Sequence, residues 1–137
     1  MCFYYSLKKM ARRYQDRTAD NEMLRKMDLV NGFKYPEMPV ITSSGLEKMH
    51  WGLIPFWAKD DSIRQYTLNA RAETLYEKPS FKKSIVSRRC LIPATGFFEW
   101  KHTRGRKQPY YIHLKKQEVF SFAGIWGEWR SRSTGEI

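Results

Sequence analysis

Cys90-Leu91-Ile92-Pro93-Ala94-Thr95-Gly96-Phe97-Phe98-Glu99-Trp100-Lys101 is the stretch that decides the fold. Aliphatic residues lead into three closely spaced rings, a composition that suits a half-buried pleated surface better than a helix. Stretches of the same character recur at 40–42, 46–53, 66–73, 109–115 and 119–129, with turn signals between them. Residues 2–6 add a short strand, because Phe3, Tyr4 and Tyr5 favour extended backbone. Helical patterns run from Leu7 to about Tyr14 and from about Asp20 to Met27. In the second, Leu24 and Met27 give one apolar stripe and Asp20 or Asn21 serves as N-cap. A further short helix is expected from Pro79 to Val86. Residues 32–39 read as a loop, and 131–136 as a hairpin turn that leaves Ile137 at the start of a strand. The expected architecture is α+β: one domain over 1–137 with a mixed, mostly antiparallel, barrel-like sheet flanked by a few helices.

Charge narrows the choice of partner. Lys and Arg number 25 against 14 Asp and Glu, a formal net charge of +11. A field of that sign on a small domain favours polyanions, nucleic acid first and anionic membrane second. Phe, Trp and Tyr make up 15% of the chain and several adjoin basic residues. Cations that track a backbone and rings that stack on bases are the two means by which proteins hold single strands. No apolar run approaches the ~20 residues of a membrane span, and the basic N-terminus does not fit a secretory signal. The expected location is therefore the cytoplasm. Cys2 and Cys90, with His50, His102 and His113, match no zinc spacing, so neither a metal nor a cofactor is expected.

Four groups of residues could carry chemistry. Removal of Met1 would leave Cys2 with a free α-amine beside its thiol. An α-amine titrates near ~8 against ~10.4 for lysine, so much more of it is nucleophilic free base at neutral pH. Such an amine forms a Schiff base with an aldehyde, and the neighbouring thiol can close a five-membered thiazolidine. An internal cysteine has no adjacent amine and cannot do this. The plain alternative is an ordinary second residue.

If 66–73 is a strand, Asn69, Arg71 and Glu73 share one face and Ala70 and Ala72 the other. Arg71 then suits a phosphate and Asn69 a sugar oxygen or the terminal amine; a surface strand with a local Arg–Glu pair explains the pattern equally well. Glu99 lies among rings, surroundings that suit a carboxyl to proton transfer, although a sheet-edge pair with Lys101 is also open. Trp51 and Trp57 flank a turn whose rings could wedge against unstacked bases, with Trp51 the better core residue of the two. Cys90 reads as a buried structural thiol.

Five motifs in order resemble the SRAP family, the SOS response-associated peptidase-like or abasic-site-processing proteins. They are Met1-Cys2; Trp51-Gly52-Leu53-Ile54-Pro55 with Trp57-Ala58; Asn69-Ala70-Arg71-Ala72-Glu73-Thr74; Arg89-Cys90-Leu91-Ile92-Pro93-Ala94 with Gly96-Phe97-Phe98-Glu99-Trp100; and Phe122-Ala123-Gly124-Ile125-Trp126. The resemblance implies a mixed β-barrel with flanking helices, binding of single-stranded DNA, and crosslinking to abasic sites through the N-terminal cysteine. It implies a catalytic role for Cys2, for Asn69 as the amide that positions the terminal amine and sugar, and for Glu99 as acid/base. It further implies DNA contacts by Arg71, Trp51, Trp57 and Trp100, with Glu73 in the same motif.

Two departures stand out. Many members begin Met-Cys-Gly-Arg-Phe, whereas here the order is Met1-Cys2-Phe3-Tyr4-Tyr5, so a phosphate-binding arginine is missing at position 4. The family's later segment, with a catalytic histidine and an Arg-Met-Pro run, has no counterpart, which predicts a chain lacking the C-terminal part of the fold. Three activities follow as expectations, in order: thiazolidine crosslinking of abasic DNA, single-strand binding without chemistry, and a cysteine peptidase acting on its own leader.

Overall fold

A computed structural model describes residues 2–7, 29–131 and 134–135. Its strands are β1 (Tyr4–Ser6), β2 (Val30–Asn31), β3 (Glu37–Thr42), β4 (Gly45–His50), β5 (Arg89–Ala94), β6 (Gly96–Thr103), β7 (Arg106–Ile112) and β8 (Phe120–Ile125). They form two four-stranded sheets, in the orders β2-β1-β6-β7 and β4-β3-β5-β8. The pairs β1–β2, β1–β6, β6–β7, β3–β4 and β3–β5 are antiparallel. Neither row of strands returns to its first member among the described residues, so the strands make two open sheets with few helices rather than one closed barrel. The expected helices within 8–28 lie outside the described residues. The short helix is present at Lys82–Ser87. No helix among the described residues is long and apolar enough to cross a membrane.

The chain falls into two compact units, one of Met1–Asn31 with Pro93–Phe122 and one of Gly32–Ile92 with Ala123–Ile137. In the first, Tyr5, Leu7, Val30 and Ala94 are buried. Rings complete this core: Phe97 and Tyr5 meet Phe122 at centroid distances of 5.8 and 6.0 Å, and Phe120 meets Phe122 at 5.0 Å. All three contacts are edge-to-face, the geometry in which a positive ring edge meets a negative face. In the second unit Met38, Val40, Ala58, Leu68, Phe81 and Cys90 are buried, and Cys90 is the structural thiol its apolar neighbours predict.

The structure corrects three expectations. The stretch 90–101 is two strands, because the chain bends at Thr95. Thr95 is buried and donates from both its backbone N–H (2.8 Å) and its hydroxyl (3.0 Å) to the Ser6 carbonyl. Groups that would extend a ladder are thereby committed to one point. Residues 32–39 are not all loop: Gly32–Lys34 is a 3-10 turn and β3 begins at Glu37. Pro39 fits within β3 because the pairing with β5 is at Ile41↔Leu91, beyond the proline, which has no N–H to give.

The third correction bears on the site. Residues 66–73 contain no strand; a 3-10 turn at Ser62–Tyr66 is followed by irregular chain and a second 3-10 turn at Ala72–Thr74. Side chains take the hydrogen bonds a sheet would need. The Thr67 hydroxyl donates to the Leu53 carbonyl at 2.6 Å, and the Trp51 indole N–H donates to the Leu68 carbonyl at 2.7 Å. Side-chain partners of this kind give the backbone an alternative to the ladder. Gly135 N–H donates to the Ser131 carbonyl at 2.9 Å, while residues 132–133 and 136 of the expected hairpin turn and the strand start at Ile137 lie outside the described residues.

Candidate functional site

Cys2 stands two residues before β1, an inner strand of its sheet, and is half-buried. Its thiol donates to the Tyr4 carbonyl at 3.2 Å, which fixes the sulfur against the start of the strand. Burial pushes the thiol pKa up and the Glu99 carboxylate adds to the rise, while the Tyr4 backbone pulls against it. Cys2 is therefore a neutral thiol near neutral pH rather than a free thiolate.

Glu99 lies on β6 opposite Tyr110 and is half-buried. Alternation along the strand places it on the same face as Phe97, which pairs with Tyr5 of β1. Tyr5 is buried and its hydroxyl is held well above the ordinary tyrosine range, first by burial and then by the charge of Cys2. Cys2, Tyr5 and Glu99 thus lie in one compact unit, with Tyr5 kept protonated by its burial. Sequence reasoning found Cys2 and Glu99 but missed Tyr5, whose burial follows from the inner position of β1 and has no local signature. Trp100, on the opposite face of β6, is partly exposed and packs edge-to-face on Tyr4 at 5.1 Å. The position that carries arginine in the resembling family here supports an aromatic wall.

The other expected residues belong to the second unit. Trp51 is half-buried, bonded to Leu68 and laid over Gly32, where a Cβ would stand 3.0 Å from its ring. Trp57 is exposed, as is its neighbour Phe56. The loop that presents both rings is tied back twice: Ala58 N–H donates to the Pro55 carbonyl at 2.9 Å, and the Trp129 indole donates to the Ala58 carbonyl at 2.9 Å. Lys83 sets its ammonium 4.1 Å from the Phe56 ring centre. Phe56 belongs to the ring-bearing turn that the sequence points to, whereas Lys83 carries no sequence signal and is revealed by its contact with that ring.

Asn69 is partly buried, and its amide nitrogen is shielded from solvent and makes no hydrogen bond among the described residues. Arg71 and Glu73 are both exposed. With no strand at 66–73, the three do not share a sheet face; Arg71 has extended backbone and Glu73 lies in the first turn of the following 3-10 segment. No group of three or more His, Cys, Asp or Glu side chains placed to hold a metal occurs among the described residues.

A family model described as SOS response associated peptidase (SRAP) matches residues 1–137. The abasic site processing protein YoqW of Bacillus subtilis is 50% identical over 91 residues, which are 66% of this chain and 41% of that protein. The abasic site processing protein HMCES of Xenopus tropicalis is 35% identical over 112 residues, 66% of this chain and 33% of its own. The matched part of this chain thus covers well under half the length of these relatives. A crystal structure of a Bacteroides thetaiotaomicron protein superposes with a TM-score of 0.85 at 42% identity, covering 98% of this chain and 64% of that one. A Bordetella bronchiseptica protein has the same fold at a TM-score of 0.75 and 21% identity, over 98% of this chain and 67% of its own.

Proposed function

The chain belongs to the SOS response associated peptidase (SRAP) family, and from that premise we propose that it processes abasic sites in single-stranded DNA by bonding to them through Cys2. The observation that carries this reading is the half-buried Cys2 thiol held to the Tyr4 carbonyl at 3.2 Å, in the same compact unit as the half-buried Glu99.

The chemistry begins with Met1 removed. The Cys2 α-amine adds to the aldehyde carbon of the ring-opened sugar, and the carbinolamine hydroxyl leaves as water on receiving a proton. Glu99 is the group that delivers that proton. The Cys2 sulfur then bonds to the imine carbon, and its proton passes to the imine nitrogen. The product is a thiazolidine, formed with loss of one water and with no change of oxidation state. Thiol protonation near neutral pH suits this last step, since the ring closure needs that proton on nitrogen. In the second unit, Arg71 serves as a phosphate contact, Asn69 offers its amide N–H to the DNA, and Trp57 offers a stacking surface with Trp51 behind it. Trp100 offers a further ring, and Glu73 lies within the same DNA-facing motif as Arg71.

Incubation of processed protein with a single strand containing one abasic site is expected to yield an adduct that survives denaturation without reductant. Cys2→Ala keeps an α-amine and is expected to yield only a Schiff base, visible when trapped with borohydride. Equal reductant-free crosslinking by Cys2→Ala contradicts the proposal. Salt-sensitive binding by the wild type with no adduct would favour a binding module instead.

A further inference from the structure

From the β6–β7 hairpin we infer a DNA-gripping arm: Lys101, Arg104, Arg106 and Lys107 hold the sugar-phosphate backbone of the strand flanking the lesion. The inference rests on the reading of the protein as DNA-directed and adds a contact surface to it. Between Trp100 and Gln117 the sequence carries Lys101, Arg104, Arg106, Lys107, Lys115 and Lys116 and no acidic residue. This stretch therefore concentrates a large part of the +11 net charge. All four cations of the arm are exposed, and none has an ion pair among the described residues.

The turn adds a second, independent reason. The pairing Thr103↔Arg106 leaves Arg104 and Gly105 as a two-residue loop, with φ of +47° and +76°. Positive φ at both positions is the primed hairpin geometry that Asn-Gly satisfies most cheaply. Arginine at the first position is the costlier choice, and its exposed side chain gains no packing in return. A ligand that needs a cation at the tip accounts for it. β7 is the outer strand of its sheet and every residue in it is exposed, so the arm is open to a long partner. From Glu99 to Arg104 the strand extends about 17 Å at ~3.4 Å per residue. That reach matches about five nucleotides at the ~3.4 Å per strand of B-form DNA, and fewer in an extended single strand.

The test measures affinity of the whole chain for an undamaged, labelled oligothymidylate across a range of salt. The triple variant Arg104→Ala, Arg106→Ala, Lys107→Ala is expected to bind at least about tenfold more weakly near 0.1 M salt. Its log–log salt slope should shrink in magnitude by about 2, because each phosphate neutralised on a single strand contributes ~0.7 to that slope. The charge-keeping variant Arg104→Lys, Arg106→Lys, Lys107→Arg should retain both the slope and the affinity to within a few fold. A triple alanine variant with wild-type slope and affinity overturns the arm while leaving the proposed function standing. A wild type that binds the oligonucleotide but never crosslinks an abasic strand overturns the crosslinking reading and leaves the arm standing. A wild type that does not bind DNA overturns both.

Discussion

At the residue scale, the surroundings of the N-terminal cysteine set the protonation of its thiol. Cys2 is legible in sequence only through the aminothiol chemistry that its position permits. The structure adds a partner for the sulfur: the Tyr4 carbonyl at 3.2 Å, with the Glu99 charge acting on the same thiol. Tyr5 shares this electrostatic neighbourhood, and its raised pKa has a consequence for stability. A group whose folded pKa lies above its unfolded value contributes stability that is complete below the unfolded value, near ~10 for tyrosine, and is lost as pH rises toward the folded one. Unfolding free energy should therefore fall above pH ~10, by up to about 1.4 kcal/mol per pH unit from this residue. Tyr5→Phe has no proton to lose and should show a shallower alkaline limb in denaturant melts recorded from pH 8 to 11. Parallel limbs for the two proteins would show that Tyr5 ionises as freely folded as unfolded.

At the element scale, the strands were legible where their rings and branched residues are continuous, and illegible where a side chain redirects the backbone. Residues 46–53 and 119–129 contain β4 and β8 almost wholly within their bounds. Residues 66–73 have strand composition but no strand, because Thr67 and the Trp51 indole capture or occupy the carbonyls from which pairing would grow. A bond spanning residues 51 and 68 cannot be seen in a local window. The same blindness hid the break at Thr95, which depends on Ser6.

Gly96, immediately after that break, shows how tightly β6 and β7 are joined. A Cβ there would lie 2.3 Å from Cζ of Tyr111, so the ring must move before any side chain fits. Gly96→Ala is expected to cost about 1–3 kcal/mol of stability, in the range of overpacked sites. The melting temperature should fall on the order of 5–10 °C. Because the cost arises at one ring, Gly96→Ala combined with Tyr111→Ala should be less destabilised than the sum of the single variants. Strict additivity in thermal melts would show that the ring is not the obstacle.

At the scale of the whole molecule, family membership was legible because five motifs occur in order along the chain, and the match spans residues 1–137. The two-sheet architecture was less so, since composition reports strands but not which strands pair. The candidate site divides along the same line. Cys2, Glu99 and Trp100 lie in one unit, and Asn69, Arg71, Glu73, Trp51 and Trp57 in the other. Their types and spacing could be read in advance, but the burial of Asn69, the exposure of Phe56 and Trp57 and the charge on the β6–β7 arm required the fold. The net charge of +11 favours a polyanionic partner. Whether the N-terminal aminothiol of Cys2 makes the bond to DNA is decided by the intact mass of the adduct formed with an abasic single strand in the absence of reductant. The expected mass is that of the protein without Met1 plus that of the DNA, less one water, in an adduct that traces to Cys2 on digestion. An adduct that retains Met1, or one attached at a lysine, would contradict the proposed chemistry.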